Sequence, residues 1–218
     1  MGYLRSITLT SARIKNSGRR IVSARLLGRG AARTSNGVRM SAVGQPGAYA
    51  TKEGDFVECG VNRGGLSRAV IHYVDFERLN KQFWLLDTYE GLVDRLISED
   101  ERRRGILPGG YEPCYENVVE TFRRFRGVQI VRGIVPDTLS QVTATAICYL
   151  SLDMNNTAPE IAAAEHFWDR LVPGGIIVLD DYGWRKQVNQ KIAFDRFAEA
   201  RKVNVLSLPT GQGLLIKP

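Results

Sequence analysis

Gly54-Asp55-Phe56-Val57-Glu58-Cys59-Gly60-Val61-Asn62-Arg63-Gly64-Gly65 is the stretch that decides the fold. Its first half is a short apolar run closed by a glycine, as in a buried strand. Its second half is a glycine-rich turn, and an amphipathic stretch over 65–79 follows. Strand, glycine turn and helix in that order open a βαβ unit. Glycines in such a turn let a ligand approach the backbone closely, and the helix start offers N–H groups with no partner of their own. The dinucleotide fingerprint calls for GxGxxG, whereas this loop reads GxxxGG after Glu58. Alone, the loop implies a ligand without specifying it.

Downstream the alternation continues. Residues 83–88 read as a second strand closed by Tyr89-Glu90-Gly91, and the charged run 98–104 as an exposed helix or lid. A helix is expected over 112–126, a third strand over 128–135 and a fourth over 146–153, ending in Asp153. Thr157 and Glu160 have the spacing of a capping box, with Pro159 tolerated in the first helical turn. Ile161, Ala164, Trp168 and Leu171 then mark one helical face, and Val172-Pro173-Gly174-Gly175 is expected to stop that helix. A fifth strand over 176–181 ends in Asp180-Asp181. After a helix over 187–202, β runs at 203–208 and 212–217 are joined by Pro209-Thr210-Gly211 as a hairpin, so one terminal strand must run antiparallel to its neighbour. The pattern predicts an α/β, doubly wound, mostly parallel sheet covered on both faces.

Ligands in such sheets bind at the carboxyl ends of the strands. Three of the predicted strands end in acids there: Asp87, Asp153, and the pair Asp180 and Asp181. Taken singly, each reads equally well as a cap of the turn that follows. Taken together they favour a site, because converging carboxylates are costly to bury without a cationic or hydroxyl-rich partner. Asp87, at the end of the second strand, could accept both hydroxyls of a ribose, and with the glycine loop it implies a nucleoside-containing cofactor.

The 54–65 run resembles the first cofactor motif of the macrocin O-methyltransferase family (TylF/MycF type), a branch of the class I S-adenosylmethionine-dependent methyltransferases. Similar blocks follow in order: Leu86-Asp87-Thr88-Tyr89-Glu90-Gly91, Arg132-Gly133-Ile134-Val135-Pro136-Asp137-Thr138-Leu139, Leu152-Asp153-Met154, and Val172-Pro173-Gly174-Gly175 through Asp180-Asp181-Tyr182-Gly183. The likeness covers about 54–218. It implies a seven-stranded, Rossmann-like sheet whose last strand is antiparallel. It implies S-adenosyl-L-methionine around Glu58, Gly60, Asn62, Gly64 and Ser67, with Asp87 at the ribose and Gly133 in the third block. It also implies Mg²⁺ on Asp153, Asp180 and Asp181, with Asp153 doubling as proton acceptor for an acceptor hydroxyl of a sugar or glycosylated small molecule. One departure stands out. The family continues its fourth-strand motif as D-x-D-x-Y, whereas this chain has Asp153-Met154-Asn155-Asn156-Thr157. The change keeps an oxygen at Asn155 but loses a charge, and the tyrosine is missing.

The 218 residues suit one α/β domain, and 44% hydrophobic with 24% charged residues is ordinary globular composition. The net charge of +7 comes from the first 50 residues, which hold nine basic residues and no acidic one; residues 51–218 carry 21 basic against 23 acidic. Residues 1–50 therefore read as a basic N-terminal arm or lid and 51–218 as the methyltransferase domain. The arm also has the Arg-rich, acid-free character of a transit peptide, but it lacks the interleaved aromatics of a base-stacking surface, so nucleic acid is not the expected partner. No window reaches the length of apolar chain that spans a membrane, and three scattered cysteines argue for a reducing, cytoplasmic setting. A homo-oligomer is expected. His72 and His166 read as surface or packing residues of helices, and Tyr182 and Trp184 either line the acceptor pocket or serve structure. Two other functions stay open: a methyltransferase of RNA or another polyanion anchored by the arm, and a cofactor-binding module without turnover.

Overall fold

The computed structural model describes residues 52–218; the basic arm expected over 1–50 lies outside them. Seven strands, β1 (Asp55–Cys59), β2 (Phe83–Asp87), β3 (Val128–Arg132), β4 (Ile147–Leu152), β5 (Leu171–Leu179), β6 (Leu206–Ser207) and β7 (Gly213–Ile216), form one sheet. Their order is β3-β2-β1-β4-β5-β7-β6. The strands β1 to β5 pair in parallel, and β7 runs antiparallel to both β5 and β6. From β1 the chain winds outward through β2 and β3, then crosses back to lay β4 and β5 on the other side. The switch point therefore falls between β1 and β4, where an open α/β sheet binds its ligand.

Among the described residues the α-helices are α1 (Gly65–Val74), α2 (Glu99–Arg103), α3 (Tyr115–Phe122), α4 (Thr157–Trp168) and α5 (Val188–Ala200). Alternation along the strands sorts the core into two halves. Val57, Leu86, Leu150 and Ile177 face Phe167 and Trp168 of α4 and Phe194 and Phe197 of α5. Phe56, Phe83, Tyr149 and Val178 face Val70 and Ile71 of α1 and Val118 and Phe122 of α3. Because both faces are covered, β4 is buried along its whole length, which explains an apolar run interrupted only by Ser151. Cys59, Cys114 and Cys148 are all buried free thiols, and burial pushes the Cys148 thiol up to about 11.

Several local expectations shift. The stretch expected to be helical over 65–79 stops at Val74, because Asp75 adopts a left-handed conformation (φ 52°) and returns its N–H to the Ile71 carbonyl. Leu171 is the first residue of β5, not the last of a helix. The tight return of Arg170 N–H to the Phe167 carbonyl ends α4, and Val172-Pro173-Gly174-Gly175 runs as the irregular start of β5, cross-linked to Lys217 at the end of the chain. The capping box expected at Thr157 and Glu160 is absent. Asn156 is the N-cap of α4, which puts Glu160 one residue too far along; its Oε1 instead accepts the N–H groups of Met154 and Asn155 at 2.8 and 3.1 Å.

A true capping box forms at Ser98 and Glu101, at the start of α2. The Glu101 carboxylate is 2% exposed and serves two helices at once. One oxygen accepts from the Ser98 N–H and hydroxyl, the other from the Thr157 N–H and hydroxyl at the first turn of α4. Burial opposes its charge, but these donors outweigh burial and hold the carboxyl below the usual range. Glu101→Ala strands donors at two helix starts. The expected cost is about 2–4 kcal/mol, a Tm drop on the order of 5–12 °C by thermal unfolding. A drop within 1 °C would show that the carboxylate is not what joins α2 to α4.

Candidate cofactor and metal site

The glycine loop, residues 60–64, crosses the carboxyl edge at the switch point. Gly60 has φ +90°, and a Cβ there would lie 2.0 Å from the Asp153 carbonyl oxygen. Asp153 N–H in turn donates to the Cys59 carbonyl at 2.9 Å. The glycine thus lets β1 and β4 leave the sheet in contact, and it seats Asp153 against the loop. Gly64 (φ +74°) fits against the Phe122 ring, which a Cβ would meet at 2.3 Å. Asn62, exposed and at φ 49°, completes the turn. Below the loop Glu58 is 1% exposed and Ser67 fully buried, and Ser67 Oγ donates to Glu58 Oε2 at 2.9 Å.

Asp87 is placed at the end of β2 as the sequence implies, yet its carboxylate already has occupants. Oδ2 accepts the N–H groups of Val61 and Asn62, both at 2.7 Å; Oδ1 accepts the Tyr89 N–H at 2.8 Å and the Thr88 hydroxyl at 3.3 Å. Four donors fill the roughly four acceptor positions of a carboxylate. Asp87 therefore clamps the glycine loop to β2, a role that sequence spacing does not reveal. Beside it, between the ends of β2 and β3, lies a cavity of about 330 Å³ lined by Thr88, Glu90, Leu92, Arg132, Gly133 and Ile134. Its rim carries a Glu90–Arg132 ion pair, and the Arg132 guanidinium lies 4.7 Å above the Tyr115 ring.

On the other side of the switch point, Asp153, Asp180 and Asp181 converge. One carboxylate oxygen from each falls within 4.8 Å of the others. Oxygens around an octahedral Mg²⁺, each at about 2.1 Å from the ion, lie about 3.0 Å apart when adjacent and about 4.2 Å apart when opposite, so side-chain rotation that draws the three carboxylates inward makes this trio a ligand set. Hard, anionic oxygens are also the donors that Mg²⁺ prefers, and a cation turns their mutual repulsion into binding energy. By this test the residues fit the ion. The carboxyl of Glu160 lies buried behind them, and burial, then the Asp181 and Asp180 charges, push it well above the usual carboxylate range.

Residues 43–206 match the family model described as Macrocin-O-methyltransferase (TylF). The chain belongs to that family. A curated relative from Streptomyces olivaceus, an 8-demethyl-8-(2,3-dimethoxy-alpha-L-rhamnosyl)-tetracenomycin-C 4'-O-methyltransferase, is 31% identical over 141 residues, 59% of this chain and 53% of the relative. The chain thus spans about half the length of that relative. Among solved structures, the O-methyltransferase NovP superimposes with a TM-score of 0.67 at 20% identity, covering 83% of this chain and 79% of NovP. A calicheamicin methyltransferase does so with a TM-score of 0.64 at 19% identity, covering 81% of this chain and 76% of its own. These two likenesses establish the class I methyltransferase fold.

Against the macrocin O-methyltransferase pattern, the D-x-D departure has a definite geometry. Asn155 sits in the left-handed region (φ 60°) and turns its amide donor, not its oxygen, toward Asp153, with Nδ2 3.2 Å from Oδ1. Where the family pattern has a second acid, this chain has a neutral hydrogen-bond donor to the first. His72 is exposed and packs edge-on to Phe125, and His166 lies on α4 against Phe167, so neither imidazole is among the residues gathered at the carboxyl edge. Tyr182 is buried with its hydroxyl committed to Asp195 on α5, while Trp184 is exposed beside Gly211. Sequence reasoning missed the role of Glu101, because its partner Thr157 lies 56 positions away, and gave Glu160 a helix cap where it instead holds the Met154 and Asn155 N–H groups. The Ser98-x-x-Glu101 spacing was the one readable signal.

Proposed function

We propose that this protein is an S-adenosyl-L-methionine-dependent O-methyltransferase acting, with Mg²⁺, on a hydroxyl of a sugar or glycosylated small molecule. Family membership supports the methyl transfer, and the relative that methylates a rhamnosyl group supports a sugar acceptor. The observation that carries the metal-assisted part is the convergence of Asp153, Asp180 and Asp181 beside the glycine loop.

In this reading Gly60, Asn62 and Gly64 present the loop backbone to the cofactor, held at its height by the Asp87 clamp. The Glu58–Ser67 pair gives the floor beneath the loop a negative charge opposite the cofactor's amino group. The nucleoside end takes the cavity between β2 and β3, bordered by Gly133. Asp153, Asp180 and Asp181 would hold Mg²⁺, which would lower the acceptor hydroxyl's pKa, and bound S-adenosylmethionine would supply the electrophilic methyl. Asp153, tied to the loop through the Cys59 carbonyl, sits where both halves of the site meet and accepts the hydroxyl proton. Fixing the two reactants in near-attack geometry lowers the barrier by on the order of 7–11 kcal/mol.

The test is transfer of labelled methyl to a panel of nucleotide-linked deoxysugars and glycosylated acceptors, with Mg²⁺ or with chelator. Labelled, chelator-sensitive product is expected. Cofactor binding without product on any acceptor would instead make the chain a binding module.

Asn155 supplies a separate check. Asn155→Asp replaces a donor to Asp153 with a like charge, in a left-handed position that aspartate tolerates. Chelated, the variant should melt a few degrees below the parent, and its Mg²⁺-induced gain in Tm should exceed the parent's, on the order of tenfold tighter binding. An equal gain would place Asn155 away from the ion.

A further inference from the structure

We infer that Gln212, at the start of the closing strand, is a positioning residue that sets the carboxylate of Asp180 for the metal; the inference rests on the metal reading above. Gln212 is fully buried, and a buried primary amide is costly unless partnered. Its Nε2 donates to Asp180 Oδ1 at 2.8 Å, and its Oε1 accepts from the Thr210 hydroxyl at 3.3 Å. The opposite amide orientation would set two acceptors against each other at the same distance, so the Asp180 carboxylate itself fixes which way the amide points.

The backbone leaves this contact little freedom. Leu179 pairs with Gly213 across β5 and β7, so the next step of the antiparallel register puts Gln212 opposite Asp180. The turn that carries it is closed by Leu208 N–H to the Gln212 carbonyl at 2.8 Å and Gly211 N–H to the Leu208 carbonyl at 3.0 Å. The Gly211 carbonyl then accepts the Gly183 N–H at 2.6 Å, which staples the turn to the segment just after Asp181. The closing hairpin thus does more than finish the sheet: it delivers one neutral donor to one oxygen of one candidate ligand. A lysine or arginine in that place would neutralise Asp180 and compete with the ion, whereas an amide fixes the carboxylate plane and leaves its charge intact. Gln212 also lies beyond residues 43–206, the stretch that the family model matches, so family membership does not assign it this role.

The test is Mg²⁺ titration by calorimetry of the full chain, wild type against Gln212→Met and Thr210→Val, with S-adenosylhomocysteine affinity and melting followed in parallel. Gln212→Met is expected to weaken Mg²⁺ binding by about 10–100-fold and leave S-adenosylhomocysteine affinity within about twofold. In turnover, the KM for Mg²⁺ rises while kcat recovers at saturating metal, a split that general loosening of the fold would not give. Thr210→Val, which removes only the hydroxyl behind the amide, gives a smaller loss in the same direction and decides the matter if Gln212→Met does not fold. Wild-type Mg²⁺ affinity in a folded Gln212→Met, or in Thr210→Val should the first not fold, overturns the assignment alone. A wild type that takes up no Mg²⁺ overturns the metal reading, and this assignment with it.

Discussion

Asp181→Ala is expected to abolish metal-dependent methyl transfer, lowering kcat by on the order of 10³-fold, while S-adenosylhomocysteine affinity stays within about threefold. The size follows from the part proposed for the metal in the reaction. Stabilising a developing alkoxide contributes several kcal/mol, and each 1.36 kcal/mol is about tenfold in rate. The selectivity follows from place. Asp181 lies just past the end of β5, with β4 between it and β1, and the glycine loop proposed to meet the cofactor is held by Asp87 on β2, through contacts that Asp181 does not share. Steady-state rates at saturating cofactor, read beside calorimetric cofactor affinity, separate the two effects. Unchanged turnover would remove the metal from the mechanism; cofactor affinity lost in proportion to rate would mean that Asp181 holds the fold.

Gly60→Ala carries the largest expected effect on stability. The residue combines φ +90°, costly for any side chain, with a methyl position 2.0 Å from the Asp153 carbonyl oxygen, and backbone cannot swing aside as a side chain can. Either β1 and β4 part at their carboxyl ends or the loop re-forms, at an expected cost of about 3–5 kcal/mol. Cofactor affinity should fall with it, because the same displacement moves the loop and Asp153 apart. Gly65→Ala is the control five residues on: nothing lies within 4 Å of its added methyl, and its expected effect on the urea midpoint is small. Equal midpoints for the two variants would contradict the close approach of loop and β4.

The contrast between these glycines shows what the sequence made legible and what it hid. The succession of strands and helices along the chain, the antiparallel close of the sheet and the acids at the strand ends could all be read, since each depends on local pattern or short connection. Asp153, Asp180 and Asp181 were candidates from strand position alone, and the fold brings them together because β4 and β5 are neighbours with parallel register from Tyr149 and Ile176 onward. The reason for Gly60, however, lies some ninety residues away in the Asp153 carbonyl, and no loop pattern announces it. The same holds for Asp87: its place at the end of β2 was legible, but the four donors through which it clamps the loop were not. Glu101 joins two helices through a residue 56 positions off, and Gln212 meets an aspartate 32 positions back. The misplaced capping box at Thr157 is a smaller case: Asn156 took the cap, and a shift of one residue undoes an N-cap to N3 pairing. Local rules place elements well; which side chains then satisfy one another is settled by packing.

The most direct measurement of the central claim is the anomalous scattering of Mn²⁺ in crystals grown with S-adenosylhomocysteine. The account predicts one strong peak bounded by carboxylate oxygens of Asp153, Asp180 and Asp181, with the cofactor's sulfur facing the space beside it. A peak elsewhere, or none at these aspartates at millimolar Mn²⁺, would contradict it.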